Sequence, residues 1–414
     1  MPTAILDLDY DHLPDAVQEL QRYNAAQVLV RIGKMPAAWV RVPVEDGRVT
    51  GEAVLDAVRR QAHHTFWQQL AEHRLGLTAV PPAVLPTATI AICTRDRADD
   101  LQHCLAGLQK MLQAGQDSAV EVLVVDSASR LPETREVVEG FPGTRYLRLE
   151  RKGLNVARNA AMRSASGEIV VFIDDDAVPD AGWLQAHREA FDHPLTMMST
   201  GLTLPLELES EAQEQFEAVS SFSRGFAPRI YDHRNMHPLT AGRAGAGVNM
   251  ALRRTVVDLI GPFDDALDAG TPTHSGGESE LMARIIDGGY RIVYTPSALN
   301  WHRHRRSLPE LRRTIYGYGV GVYAFWTGYT LKQREWAVPL VAGKWFWYDQ
   351  LPALLRSAAH VPGAPPWPLP LDELRGCVAG PWAYWQARRQ ARKQARGQAD
   401  GQPPRARGRS DGLR

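Results

Sequence analysis

Short apolar runs that each end in an acid, separated by helical stretches, constrain this chain more than any other feature. Residues 89–93 run into Thr94-Arg95-Asp96-Arg97, residues 120–125 into Asp126-Ser127-Ala128-Ser129, and residues 168–173 into Asp174-Asp175-Asp176. The runs Val122-Leu123-Val124-Val125 and Ile169-Val170-Val171-Phe172-Ile173 have no polar face. Each must be covered on both sides, as the central strands of a parallel sheet between two helical layers are. Helical patterns at 99–112 and 155–164 and a further strand at 145–149 complete the alternation, and the class is α/β. Open sheets of this kind bind ligands outside the carboxyl ends of their strands, so the acids are where chemistry is to be sought.

Composition bounds the setting. With 414 residues, 44% hydrophobic and 47 Lys+Arg against 47 Asp+Glu, the chain is neither disordered nor collagenous. Cys93, Cys104 and Cys377 are too few and too scattered for a structural zinc site or a disulfide framework, which points to a reducing compartment. Asp7 and Asp9 stand where a signal peptide needs basic residues. No stretch approaches the roughly 18 apolar residues of a membrane span, so a cytoplasmic protein is expected.

Four segments follow from the pattern. Residues 1–86 read as a small α+β domain, with a hairpin over 27–44 turning at Gly33-Lys34-Met35-Pro36 and a helix over 51–75, closed by Pro81, Pro82 and Pro86. Residues 87–313 hold the α/β alternation, and 314–385 form an aromatic-rich helical extension with seven of the eleven Trp. Residues 386–414 read as a basic, disordered tail, with nine Lys/Arg against two Asp from Arg388 onward. Trp, Tyr and Lys/Arg together suit the inner face of a membrane, and they equally suit a helical lid over an acceptor site. Nucleic acid is not an expected partner, since no recognised module accompanies the tail.

Asp174-Asp175-Asp176 is the sharpest local feature, because adjacent like charges at the end of a dry strand need a cation or strong donors. Mg²⁺ or Mn²⁺ would serve, taking its remaining ligands from substrate phosphates; a helix-capping cluster is the plainer alternative. Asp96 and Asp126 can accept from a ribose hydroxyl or a base, or can hold Asx turns. In Gly153-Leu154-Asn155-Val156-Ala157-Arg158-Asn159, Asn155 is placed to cap a helix and Arg158 to reach an anion one turn in. Gly276-Gly277-Glu278-Ser279-Glu280 opens another helix, and His302 and His304 lie among arginines. There is no Gly-x-x-x-x-Gly-Lys-Ser/Thr loop, and Gly317-Tyr318-Gly319-Val320-Gly321 follows no strand.

Taken in order, Thr94 to Arg97, Val124 to Ser129, Gly153 to Asn159, Phe172 to Asp176, Gly247-Val248-Asn249-Met250-Ala251-Leu252-Arg253, Gly261-Pro262-Phe263-Asp264, Gly277-Glu278 and His302 resemble the family 2 glycosyltransferases with the GT-A fold. The resemblance covers somewhat over half the chain. It implies a mostly parallel central sheet between helices that binds a nucleoside-diphosphate sugar, with the acceptor (glycan, lipid, peptide or small molecule) left open. By likeness Thr94, Asp96, Arg97, Asp126, Asn155, Arg158, Asp174, Asp175 and Asn249 would line the nucleotide-sugar site. Asp174 and Asp176 match the family's D-x-D motif, and with His302 would hold Mg²⁺ or Mn²⁺. Aligned on Glu280-Leu281-Met282-Ala283-Arg284, Glu278 falls at the catalytic base and Gly277 where a Glu usually precedes it, with Glu280 as second candidate. The implied reaction is inverting single displacement; a binding protein that has lost catalysis and a nucleotidyltransferase are the alternatives.

Overall fold

The computed structural model describes residues 2–77, 82, 84–115 and 120–400, with side chains to residue 393. Pro81 and residues 401–414 of the expected tail lie outside the described residues. The N-terminal unit contains β1 (Thr3–Asp9), β2 (Ala16–Val17), β3 (Ala25–Ile32), β4 (Met35–Pro43), β5 (Val49–Thr50), α1 (Gly51–Gln61) and α2 (His64–Arg74). Its hairpin β3–β4 turns at Gly33, whose φ of +59° suits glycine. The single helix expected over 51–75 is two, because Ala62 and His63 are extended. The break lets Val54 and Val58 of α1 and Phe66 and Leu70 of α2 all reach one core.

The central unit follows the expected alternation: β6 (Ala88–Thr94), α3 (Ala98–Gly115), β7 (Glu121–Ser127), α4 (Glu133–Glu139), β8 (Thr144–Leu149), α5 (Leu154–Ser164) and β9 (Ile169–Asp174). Then come β10 (Ala177–Pro179), α6 (Trp183–Glu189), β11 (Thr196–Pro205), α7 (Glu211–Ser220), β12 (Arg229–Tyr231), β13 (Asn249–Arg253), α8 (Val256–Ile260), α9 (Gly277–Asp287) and β14 (Arg291–His302). One sheet runs in the order β10-β14-β11-β13-β9-β6-β7-β8, with β12 beside β14. The half β9-β6-β7-β8 is wholly parallel. β6, β7 and β9 are buried on both faces, by one core that includes α5 and α9 and another that includes α3 and α6, as their unbroken apolar runs require, and β8 is the half-exposed edge. β14 is longer than the expected strand at 290–294, and the extra length carries the chain to His302 beside β10.

The N-terminal sheet is fixed to this frame. Leu29 of β3 is buried with Leu202, Leu204 and Leu299 of β11 and β14, each contributing up to about 1.5–3 kcal/mol of apolar burial. Arg31 bridges Asp7 and Asp180 at 2.7 Å each.

The C-terminal part comprises α10 (Leu308–Gln333), α11 (Val338–Trp345), a π-helical turn (Phe346–Gln350), α12 (Leu351–Ala358) and α13 (Pro368–Asp400). Helix α10 spans the expected 313/314 boundary, and α13 runs straight through 385/386, so the start of the basic segment is packed helix with Ala387 buried. The glycines at 317–321 have a packing function. A Cβ on Gly319 would lie 2.2 Å from the Glu373 carbonyl, one on Gly376 2.1 Å from the Tyr316 carbonyl, and one on Gly321 1.9 Å from Ser275 Oγ. Glycine therefore lets α10 approach α13 and the start of α9 at backbone contact. Gly376→Val should lower the unfolding free energy by about 1–3 kcal/mol or more through overpacking. Gly343→Ala, with open space around residue 343 in α11, should raise it by about 0.5–1 kcal/mol. Urea titrations followed by circular dichroism measure both; equal midpoints would show that the close approach is not required.

Candidate active site

Register brings the acids to one edge. Thr94 pairs with Asp126 across β6–β7 and Cys93 with Asp174 across β6–β9, so the three carboxyl ends lie level. Asp174, Asp175 and Asp176 follow, and β10 turns the chain onto β14, where Ala177 faces His302 and the Arg303 N–H donates to the Asp176 carbonyl at 2.9 Å.

Arg97 spans two of the three carboxylates. Asp175 accepts from Thr94 Oγ1 (2.7 Å) and Arg97 Nη1 (2.6 Å), and Asp176 Oδ2 accepts from Arg97 Nη2 (2.7 Å). None caps α6, whose N-cap is Gly182. Burial and the neighbouring Asp176 push Asp175 up to about 7, and the same two causes raise Asp174. Burial acts in the same sense on Asp176, but His302, Arg97 and Arg305 outweigh it and hold that carboxyl low. Arg97, expected at the nucleotide, spends its guanidinium on Asp175, Asp176 and Asp100.

Asp174, Asp176 and His302 can each offer one ligand atom, all within 4.8 Å of one another. Asp176 Oδ1 is buried without a hydrogen-bond partner and lies 3.1 Å from His302 Nε2. His302 is itself oriented by His304 Nδ1 (2.9 Å), which in turn meets Glu217 through Nε2 (2.7 Å). Two carboxylate oxygens and an imidazole nitrogen, with one buried oxygen facing only that imidazole, suit a divalent ion.

Other expected residues hold structure. Asp126 is wholly buried; its Oδ1 accepts from the Ser129 N–H (2.7 Å) and its Oδ2 from Tyr146 and from Arg148 (3.2 Å). It fastens the turn that faces the crevice, so a direct nucleoside contact is not what this carboxylate offers. Asp96 has φ +54° and accepts from the Arg130 backbone (2.7 Å) and side chain (3.0 Å), which hold its pKa low and knit the two loops together. Asn249 does not reach the crevice either. Its side chain accepts from Trp183 and His187 and donates to the Leu202 and Ala298 carbonyls, each at 2.8 Å, so its whole bonding capacity is spent in the core.

Asn155 is not the cap of α5; Gly153, at φ +139°, occupies that position. Asn155 instead donates to the Asp264 carbonyl (3.0 Å), while Asn159 exchanges bonds with Phe263 (3.0 and 2.9 Å). Helix α5 thus anchors the loop that follows Gly261-Pro262-Phe263-Asp264. That loop delivers Asp268, a residue the sequence reading missed. Asp268 is buried at φ +84°, and its Oδ2 meets Arg158 Nη1 at 2.7 Å. A Cβ on Gly277 would lie 2.6 Å from that same Oδ2 and 2.2 Å from Asn155 Nδ2. The absence of a side chain at 277 is therefore what makes room for the Asp268 carboxylate, and the clue in sequence was the departure at Gly277 itself.

Glu278 and Glu280 diverge as their spacing on α9 requires. Glu278 keeps a partly exposed side chain, 3.7 Å from Arg158 Nη1. Burial and then Asp268 push it up to about 7 against the pull of Arg158. Glu280 is buried in a chelate with Arg284 (2.7 Å) and faces Lys332 (3.4 Å), which also binds Asp264 (2.7 Å). An apolar groove lined by Leu105, Leu108, Val122 and Phe141 lies at the opposite end of the sheet and carries no acid or histidine among its described residues.

Residues 89–264 match the family "Glycosyl transferase family 2". Glycosyltransferase AglE of Haloferax volcanii is 28% identical over 256 residues, which cover 59% of this chain and 75% of that protein. The pre-mycofactocin glycosyltransferase of Mycobacterium tuberculosis is 25% identical over 55% of this chain and 46% of its own length, so the chain spans about half of that relative. Among solved structures, the mannosyltransferase PcManGT of Pyrobaculum calidifontis, in complex with GDP-Man and Mn²⁺, has a TM-score of 0.42 at 19% identity, covering 82% of this chain and 84% of that one. Over residues 89–264 the chain is thus similar to the family 2 glycosyltransferases, and the match falls on the α/β sheet that carries the strand-end acids.

Two residues of the expected site should behave as structural groups. Asn249→Ala leaves the Trp183 and His187 donors unpaired in the core, and Glu280→Gln leaves Arg284 without its counter-charge while Lys332 keeps Asp264. Each should lower the unfolding free energy by at least about 2 kcal/mol. The folded fraction should still bind nucleoside diphosphate as the unchanged protein does, measured by calorimetry; loss of binding without loss of stability would return either residue to the site.

Proposed function

We propose that this glycosyltransferase moves a sugar from a nucleoside-diphosphate sugar to an acceptor hydroxyl by single displacement with inversion, and that Glu278 is the base. One observation carries the reading: of the two glutamates that open α9, Glu278 alone keeps a carboxylate open to the crevice. Its pKa is raised to about 7, the range in which a general base is most effective near neutral pH. Glu278 would take the acceptor proton as the acceptor oxygen bonds to the anomeric carbon. The bond from that carbon to the diphosphate oxygen breaks, and the nucleoside diphosphate leaves with the electron pair. A Mg²⁺ or Mn²⁺ ion held by Asp174, Asp176 and His302 would supply positive charge for the departing diphosphate. Thr94 and Arg97 would act one step back, holding Asp175 and Asp176 so that Asp176 Oδ1 stays open.

Asp268 and Arg158 would position and tune the base. The Asp268 carboxylate occupies the space beside Glu278 that a side chain at 277 would fill, and its charge keeps the Glu278 pKa up while Arg158 limits the rise. An acid beside the proposed base is therefore present although residue 277 is glycine, which supports catalysis over binding without it.

A screen of nucleoside diphosphates with Mn²⁺ by thermal shift identifies the donor class, because a ligand of the native state raises its apparent stability. With a donor and acceptor in hand, Glu278→Gln should cut turnover by about 10²–10⁴ while donor affinity persists. Undiminished turnover would refute the assignment. Because the base must be ionised, kcat/KM should fall about tenfold per unit as pH drops below 7 and level off above it. In Asp268→Asn the acid limb should move to lower pH, since a like charge has gone. A limb that stays in place would make Asp268 a purely structural residue.

A further inference from the structure

The aromatic extension divides into two populations. Trp326 is buried, and Trp345 packs against it at 5.8 Å between ring centres. The continuous helical stretch 338–358 lays Val338, Val341, Ala342 and Trp345 against that core and turns another face outward. On the outward face Leu340, Trp347, Tyr348 and Leu355 are 62%, 64%, 74% and 59% exposed, and Trp336, just before it, is 77% exposed. Lys344 and Arg356 are exposed beside them. No described helix is long and apolar enough to cross a membrane, so such a face suits lying along an interface rather than spanning it.

A basic groove reaches to Lys332 at the end of α10, four residues along the chain from Trp336. Arg151, Arg163, Arg284, Lys332, Arg388 and Arg392 line it, against Asp264 and Asp265, with Glu280 behind Arg284. Arg163 and Arg392 pair with no described acid, and the i, i+4 pair Arg388 and Arg392 comes from the repeat at 386–396. The basic repeat is thus, at its start, one wall of a groove of positive charge, and the chain from Lys332 on that groove leads within a few residues into the exposed apolar helix.

We propose that this combined face binds an anionic lipid bilayer, with Leu340, Trp347, Tyr348 and Leu355 entering the headgroup boundary and the groove around Arg163 and Arg392 receiving lipid phosphates. Apolar area and cationic charge side by side are the two contributions that hold a peripheral protein on such a surface. The proposal does not depend on the donor, the acceptor or the base assigned above.

Sedimentation of the full chain with phosphatidylcholine vesicles containing phosphatidylglycerol, compared with phosphatidylcholine alone, tests it. Binding should favour the anionic vesicles and weaken with salt. Arg163→Ala with Arg392→Ala should weaken it about 25-fold at low salt, at about fivefold per charge. Leu340→Glu with Trp347→Glu should abolish it while the thermal melting curve stays cooperative. If the second pair of changes prevents folding, quenching of the unchanged protein's tryptophan fluorescence by brominated lipid decides, and it should be strong. Equal sedimentation with both vesicle types, variants that bind as the parent does, or absence of quenching would each overturn the proposal.

Discussion

Three carboxylates on consecutive residues at the end of a buried strand are the constraint on which the rest of the structure turns. The cost of that charge is met from several directions. Arg97 comes from the turn after β6, His302 and Arg305 from the end of β14, and Thr94 from the end of β6. Each can arrive because strand register sets the ends of β6, β7 and β9 level and because β10 pairs with β14 at Ala177–His302. Asp176 Oδ1 remains the buried oxygen without a hydrogen-bond partner, which is the opening a divalent ion would fill. Fold and chemistry thus share one cause: charge that the sheet places and cannot by itself neutralise.

A second centre depends on close approach rather than charge alone. Gly277 leaves the space into which the Asp268 carboxylate fits, and Gly276 and Gly321 let the start of α9 meet α10 at backbone contact. Helix α10 is held in turn by α13 through Gly319 and Gly376, and by the network of Asp264, Lys332, Glu280 and Arg284. The C-terminal helices therefore fix the helix that carries Glu278. This links the extension, where family likeness fades, to the position of Glu278, the proposed base, and Glu280 contributes to that link as a structural ion pair.

Much of this was legible in the sequence because apolar runs and their terminal acids report directly on strands and on what lies at their ends. The α/β class and the strand-end acids follow from that local signal, and the grouping of His302 with Asp174 and Asp176 from the family resemblance, since no local pattern joins residues so far apart in sequence. What escaped depends on partners distant in sequence. Asn249 carries a family motif, yet its four bonds go to Trp183, His187, Leu202 and Ala298, and only the folded sheet shows that they exhaust it. Asp126 faces the right edge but is turned inward by Tyr146 and Arg148 on the neighbouring strand. Asp268 has no motif around it, sits at positive φ, and becomes visible only where Gly277 lacks a side chain. The helix through 386–400 escaped because a repeat rich in Gln, Ala and Arg looks the same in sequence whether it is solvated or, as at Ala387, packed.

The central claim, that the charge left at the end of β9 is an ion site built from Asp174, Asp176 and His302, is tested most directly by titrating Mn²⁺ into the full chain with nucleoside diphosphate present and following free Mn²⁺ by electron paramagnetic resonance. The unchanged protein should take up one ion per chain. Asp176→Asn and His302→Ala, both folded by circular dichroism, should lose that uptake by at least about tenfold in affinity, since even the outer-shell partners of metal ligands are worth about 10–100-fold. Uptake by both variants equal to that of the parent would contradict the site.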